Sequence, residues 1–283
     1  MNKAYEEITN KIIDQLNQGQ IPWTRPWFGR LAIISYATGK PYSILNQMLL
    51  GDESGEYITW RQIQEHGAHL KKGSRGKKIY LWKTIEKTET NKDGEIIKKQ
   101  VPYLRSYIVF KVADCIGIEP RWQPKAPNIT ISPIKRAEDT IHQYLSREKI
   151  NLVHKKNESY YSVKFDYINI PEITNFRNAE GYYSVLAHES VHSTGAEKRL
   201  NRFNSRDKDD LFGSQKYSRE ELVAEMGAAF LLNHLGIDSS ATIRQNAAYV
   251  QNWLETLKND TNMVVVAATR AEKAVRFILD ETE

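Results

Sequence analysis

Three residues within five positions have the types and spacing to do chemistry together. His188, Glu189 and His192 spell H-E-x-x-H in a stretch, residues 182–195, whose pattern predicts a helix. Positions i and i+4 of an α-helix share a face, so both imidazoles can aim a nitrogen at one ion. Neutral imidazoles suit Zn²⁺, and a catalytic zinc keeps one position for water or substrate. Glu189 sits one position round, where it can take a proton from that water. The bland alternative is two surface histidines on an amphipathic helix, and a third ligand would separate the two readings.

The next helix, predicted to open at Ser218 and to run to about Leu235, offers that ligand. Glu221 and Glu225 are four apart and share a face. One can bind metal while the other accepts a hydrogen bond from a ligating histidine. Ser218-x-x-Glu221 is equally a capping box, in which Glu221 only satisfies backbone N–H groups. Glu220 and Glu225 read as well as solvated charges. Spacing leaves Glu221, Glu225 or neither as the ligand. Gly227, Ala228 and Ala229 would let this helix approach another closely.

The chain has 283 residues, 40% hydrophobic and 27% charged, which predicts a globular protein. Its one cysteine, Cys115, permits no internal disulfide and fits a reducing cytoplasm. Residues 1–20 carry no apolar signal region. The longest apolar run, residues 263–268, is too short to cross a bilayer, so no membrane partner is expected.

Charge divides the chain. Residues 1–127 carry 20 Lys and Arg against 13 Asp and Glu, or +7, while residues 128–283 carry 20 against 22, or −2. A basic half beside a mildly acidic one points to a polyanion partner for the first half. There Trp23, Trp27, Tyr42, Trp60 and Trp82 mix with Arg25, Lys40, Lys71, Lys72, Arg75, Lys77 and Lys78. Aromatic faces stack on any base and cations neutralise phosphates, which suits single-stranded DNA without sequence readout. The competing reading puts these tryptophans in a core and the lysines on a solvated face.

The elements that position these residues follow from periodicity. Helices are expected over 4–18, 43–50, 59–66, 134–145, 241–257 and 263–279, and strands over 77–82, 105–112 and 160–170. A charged arm at 86–100 carries the hairpin-turn signal Asn91-Lys92-Asp93-Gly94. The prolines of residues 122–127 mark a linker, dividing the chain into domains 1–127 and 128–283.

Taken in order, these residues resemble a known family, the ArdC-type antirestriction proteins. His188-Glu189-Ser190-Val191-His192-Ser193-Thr194-Gly195, Arg199-Leu200-Asn201-Arg202, and the run from Tyr217 through Glu225 to Leu231 are similar to its metallopeptidase domain. Pro22-Trp23, Pro26-Trp27, residues 38–42, Ile44-Leu45-Asn46, Thr59-Trp60 with Gln62, and Gly67 with Lys72-Gly73 resemble its single-stranded-DNA-binding domain. Ser190, Ser193 and Ala196 depart from the pattern and bear on substrate preference.

The resemblance implies an α+β chain: an N-terminal α/β domain that binds single-stranded DNA, then a mainly helical zincin-like metallopeptidase domain with a small sheet. By analogy with thermolysin-like enzymes it makes Glu221 the ligand of one Zn²⁺ or another divalent ion, with Glu225 orienting a histidine. It adds Asn46 to the DNA contacts. It implies protection of plasmid or other mobile DNA from host restriction, with single-stranded DNA and a restriction component or other protein substrate as partners. Glu189 would activate water, an edge strand in 160–170 would pair with substrate backbone, and Tyr249 would steady an oxyanion unless it only packs its helix. Two alternatives differ in class. One is a regulatory or toxin-like zinc protease whose basic half docks protein. The other is a DNA-binding protein whose metal site is structural and without turnover.

Overall fold

The computed structural model describes residues 3–23, 33–51, 54–90, 96–122, 132–155, 158–203, 215–238, 253–255 and 257–281. Helix α1 (Lys3–Asn17) forms where Ile8, Ile12 and Leu16 recur every four residues, and all three are buried. Ser43 caps α2 (Ile44–Leu50) by accepting the Asn46 N–H. Thr59 and Gln62 close a reciprocal capping box on α3 (Trp60–Glu65).

The first half also builds two sheets. β1 (Ile33–Ser35), β2 (Gly55–Thr59), β4 (Lys77–Thr90) and β5 (Ile96–Lys111) form a sheet of order β1-β2-β5-β4. In it β1 and β2 run parallel and the other pairs antiparallel. β3 (His69–Leu70) pairs with β6 (Cys115–Ile116). The sequence predicts strands only over 77–82 and 105–112. Instead β4 and β5 pair without interruption from Lys77↔Val109 to Thr90↔Ile96. The Lys, Glu and Thr of the outer part resemble a solvated loop, and cross-strand hydrogen bonding decides otherwise. The four short strands escape sequence reading because two to five residues are too few to register alternation.

The second half comprises α4 (Pro133–Arg147), β7 (Asn151–Val153), β8 (Tyr160–Ser162), β9 (Tyr167–Asn169), α5 (Ala179–Ser193), α6 (Gln215–Leu235) and α7 (Met263–Leu279). Its small sheet has the order β7-β9-β8, so β8 is an edge strand. The stretch 160–170 is thus a hairpin of two strands. Helix α6 starts three residues before the expected Ser218. The helix expected over 241–257 falls largely outside the described residues.

One hydrophobic core crosses the boundary expected at residue 127. It joins Ile8, Ile12 and Leu16 of α1 to Leu222 and Met226 of α6 and to Val264 and Ala271 of α7. Trp23 meets Trp253 edge-on with ring centroids 5.1 Å apart. Polar bonds follow the same seam: the Thr9 hydroxyl donates to the Thr261 carbonyl at 2.6 Å, and the Ile44 N–H to Glu272 Oε2 at 3.2 Å. Helix α7 therefore packs on both α6 and the N-terminal helix and ties the two together. Among the described residues no helix is long and apolar enough to cross a membrane.

Candidate functional site

Helices α5 and α6 approach closely because one contact residue has no side chain. A β-carbon added at Gly227 would stand 2.9 Å from both Val191 methyls. Ser190 and Ser193 also keep α5 slim, and their hydroxyls donate to the carbonyls of Leu186 and Ser190, each at 2.7 Å. Asn178 caps the start of α5 by accepting the Gly181 N–H at 2.9 Å.

Across this interface His188, His192 and Glu221 each present one ligand atom, and those atoms all lie within 4.8 Å of one another. The two Nε2 atoms are 3.1 Å apart. Glu221 reaches both, with Oε1 3.1 Å from His192 Nε2 and Oε2 3.4 Å from His188 Nε2. Because α6 begins at Gln215, Glu221 lies in its second turn, past the N3 position of a capping box. The three side chains are between 13% and 21% exposed, so the cluster is partly open to solvent. Glu189 is buried in the same helix and acts electrostatically on both imidazoles.

The second ring nitrogens meet two further carboxylates. His188 Nδ1 stands 3.9 Å from Glu225 Oε1, and His192 Nδ1 stands 3.5 Å from Glu220 Oε1. Glu220 is buried and is no solvated charge. Arg202 grips it through Nη2 to Oε1 at 2.7 Å and Nε to Oε2 at 3.1 Å. The same guanidinium donates to the Thr194 hydroxyl and the Val191 carbonyl at the end of α5. Sequence spacing does not pair Arg202 with Glu220, 18 positions on. Glu220 offered one signal, its place beside Glu221.

The electrostatics fit a cation. Burial would lower His192, but hydrogen bonds with Glu220 and Glu221 raise it to about 10. Burial likewise lowers His188 while Glu221 raises it, for a net rise. Burial would raise Glu221, and hydrogen bonds from the two histidines hold it well below the usual carboxylate range. Burial raises Glu225. The carboxylates thus draw positive charge onto the imidazoles. Two imidazoles and one carboxylate also match the three-protein-ligand set of a catalytic zinc with an open fourth position.

Edge strand β8 is fixed to the end of α5 by a second arginine. Arg199, fully buried, donates to the Ser193 carbonyl at 2.7 Å and to the Tyr161 hydroxyl at 2.9 Å, and pairs with Asp166. Burial would raise the Asp166 carboxyl, but hydrogen bonds from Arg199, Lys198 and Tyr161 bring it to about 2.

With this geometry in place, comparison with known proteins is informative. Residues 139–270 match a family described as zincin-like metallopeptidase, and residues 2–110 match the N-terminal domain of anti-restriction factor ArdC. The metal-free crystal structure of antirestriction ArdC protein from R388 plasmid superposes with a TM-score of 0.72 at 30% identity, covering 99% of each chain. The chain belongs to the ArdC antirestriction family. The Mn(II)-bound structure of the same ArdC superposes at 0.73, over 98% of this chain and 97% of that one. Uncharacterized protein y4eC of Sinorhizobium fredii is 30% identical over 95% of this chain and 89% of its own length. DNA primase TraC of Escherichia coli is 30% identical over 97% of this chain, which matches only 27% of TraC.

In this ArdC-family chain the residues expected to touch DNA divide sharply. Lys40, Trp60, Lys71, Lys72 and Arg75 are exposed. Tyr42 is half-buried, and Lys77 Nζ donates to the Leu50 carbonyl at 2.9 Å. Lys78 is paired with Glu7 at 2.7 Å. Three expectations are corrected. Trp23 is wholly buried against Trp253 and offers no face to a base. The Asn46 amide closes the outer edge of β4, exchanging two 2.8 Å bonds with the Tyr80 backbone. Trp82 packs on the core and donates its indole N–H to the Tyr5 hydroxyl at 2.9 Å. Arg25, Trp27 and Tyr249 lie outside the described residues.

Proposed function

We propose that this chain is an antirestriction protein that grips single-stranded DNA with its basic N-terminal half. We propose further that it holds one divalent metal ion, zinc by preference, through His188, His192 and Glu221. One observation carries the metal reading: three ligand atoms from two helices converge within 4.8 Å. The Mn(II)-bound relative supports a divalent ion of this size and charge. Bound there, such an ion supplies a Lewis acid and makes water more acidic.

The chain's own residues complete the chemistry of a peptide-bond hydrolase. Glu189, one position from His188, accepts a proton from water at the cluster. Glu220 supports the far nitrogen of His192, and Glu225, 3.9 Å from that of His188, is placed to accept from it on a small side-chain adjustment. Edge strand β8 offers its unpaired side to an extended peptide. Protection of incoming DNA from host restriction follows from family membership.

The test pairs metal analysis with DNA binding. Full-length protein purified without chelator should carry about one divalent ion per chain, and His192→Ala should carry none. Labelled oligo-dT should bind with marked salt dependence and bind better than duplex of the same length. Absence of metal from both proteins ends the metal reading, and equal affinity for duplex ends the single-strand reading. Glu189→Ala that keeps its metal and still protects DNA in cells would separate proteolysis from protection.

A further inference from the structure

The N-terminal sheet offers a second surface for single-stranded DNA, and it differs from the one suggested by the tryptophans. Residues directly opposite in an antiparallel pair lie on the same face, and successive residues alternate faces. The β4–β5 register therefore sorts every side chain of the hairpin. On one face stand Lys78, Tyr80 and Trp82 with Leu104, Ser106 and Ile108. This face turns to the protein: Tyr80 is buried, Trp82 and Leu104 pack on the core, and Lys78 is paired with Glu7. Farther out, its Lys98 and Glu86 neutralise each other at 2.8 Å.

The other face carries Leu81 opposite Arg105, Lys83 opposite Tyr103 and Ile79 opposite Tyr107. Lys83 Nζ lies 5.7 Å from the Tyr103 ring centre, and the Arg105 guanidinium 5.3 Å from that of Tyr107. At the inner end of this face Ile79 and Val109 are buried in a small core with Leu50 and Tyr57, and Tyr107 packs on that core. Farther out Leu81 is 42% exposed, Lys83 and Arg105 are exposed, and both tyrosines are half-open. Continued along both strands from Lys77 to Thr90 and from Ile96 to Lys111, this face holds six Lys and Arg against a single acid, Glu89, which lies 3.8 Å from Lys87, while Lys77 donates to the Leu50 carbonyl. The two faces share a backbone, and the inner one holds only Lys78 and Lys98 against Glu86. Solubility alone does not require that bias, and it does not account for two aromatic rings set between the cations.

We infer that this outward face of the β4–β5 hairpin, centred on Lys83, Tyr103, Arg105 and Tyr107, is a binding platform for single-stranded DNA. The inference rests on the proposed DNA-binding function and adds its location. The two rings sit four residues apart on β5, about 13 Å, and stack on separate bases. Arg105 lies between them and Lys83 beside Tyr103, and both neutralise phosphates. A flat sheet face reads no base edges, which suits binding indifferent to sequence.

The experiment uses the full chain and fluorescence anisotropy of dye-labelled oligo-dT across a salt series. Neutralising two phosphate contacts in Lys83→Gln/Arg105→Gln should lower affinity at least tenfold and flatten the slope of log K against log salt by about 1.4. Tyr103→Leu, which keeps apolar bulk, should weaken binding about tenfold or more by removing one stacked ring. Lys98→Gln, on the opposite face, should stay within about threefold. Thermal melts within a few degrees of the wild type would show that these variants fold. Wild-type binding with unchanged affinity and slope in the double variant and in Tyr103→Leu overturns the platform. A wild-type chain that binds no oligonucleotide overturns the DNA-binding function itself, so the two failures are distinguishable. Loss of binding in Trp60→Ala alone would move the site to the α3 side of the sheet and overturn the platform as well.

Discussion

The α5–α6 cluster and the outer β4–β5 hairpin hold the chemistry-bearing residues of the two halves, and they are built in opposite ways. In the cluster each group is fixed by several neighbours at once. Glu221 touches both histidines, Glu220 is held by Arg202, and Arg202 is tied to the end of α5. On the hairpin the side chains are exposed, and strand alternation alone decides where each points. A site that must hold an ion at fixed distances needs a rigid, doubly supported shell. A site that slides along a flexible polyanion needs only charge and aromatic faces on one side. The cluster should therefore respond to changes in packing far from its ligands, and the hairpin only to changes in its own side chains.

The largest break of this contrast comes from the proposed ligands. His188→Ala and Glu221→Ala should each lose stoichiometric metal by mass spectrometry of the native protein, while oligonucleotide affinity stays unchanged. Gly227→Val comes next. It drives a β-carbon into Val191 and should destabilise the fold by about 1–3 kcal/mol, read as a lowered denaturation midpoint. No single substitution at the exposed positions of the outer hairpin face, such as Lys83 or Arg105, should approach that. Third, Glu220→Gln touches no ligand position but weakens the support of His192. It should lower metal affinity about 10-fold to 100-fold, measured by competition with a chelating dye. An unchanged affinity would make the Glu220–Arg202 pair a fold contact only.

The smallest effect concerns acid stability. Asp166 is held at about 2, below its value in an unfolded chain, so its contribution is fully present above about pH 4. That contribution is lost as the pH falls through 2. The melting temperature of the wild type should drop over that interval. In Asp166→Asn, which lacks the titrating group, the drop should be shallower, and the two curves should converge at the acid end.

Much of the chain could be read in advance, for reasons specific to each element. Helix α7 appears at Met263–Leu279, the predicted span, since a long apolar stripe at helical spacing leaves little choice. The i, i+4 pair of His188 and His192 needed only the helix to share a face. The outer half of β4–β5 was hidden by its polar composition. Aromatic and amide types suit a core or a sheet edge as well as a base, and the fold puts Trp23 in the core, Asn46 on the β4 edge and Trp82 against the core.

The amino-acid sequence alone determined the local features: the helices, their caps, the two histidines on one face, and the family to which the chain belongs. Local periodicity and capping act over a few residues, so they are written in the order of the chain. Tertiary structure alone decided that Glu221 rather than a cap faces the histidines, that Glu220 pairs with Arg202 across 18 positions, and that one core joins both halves. These depend on how close two helices can come and which faces they bury, and packing across long sequence separations sets both.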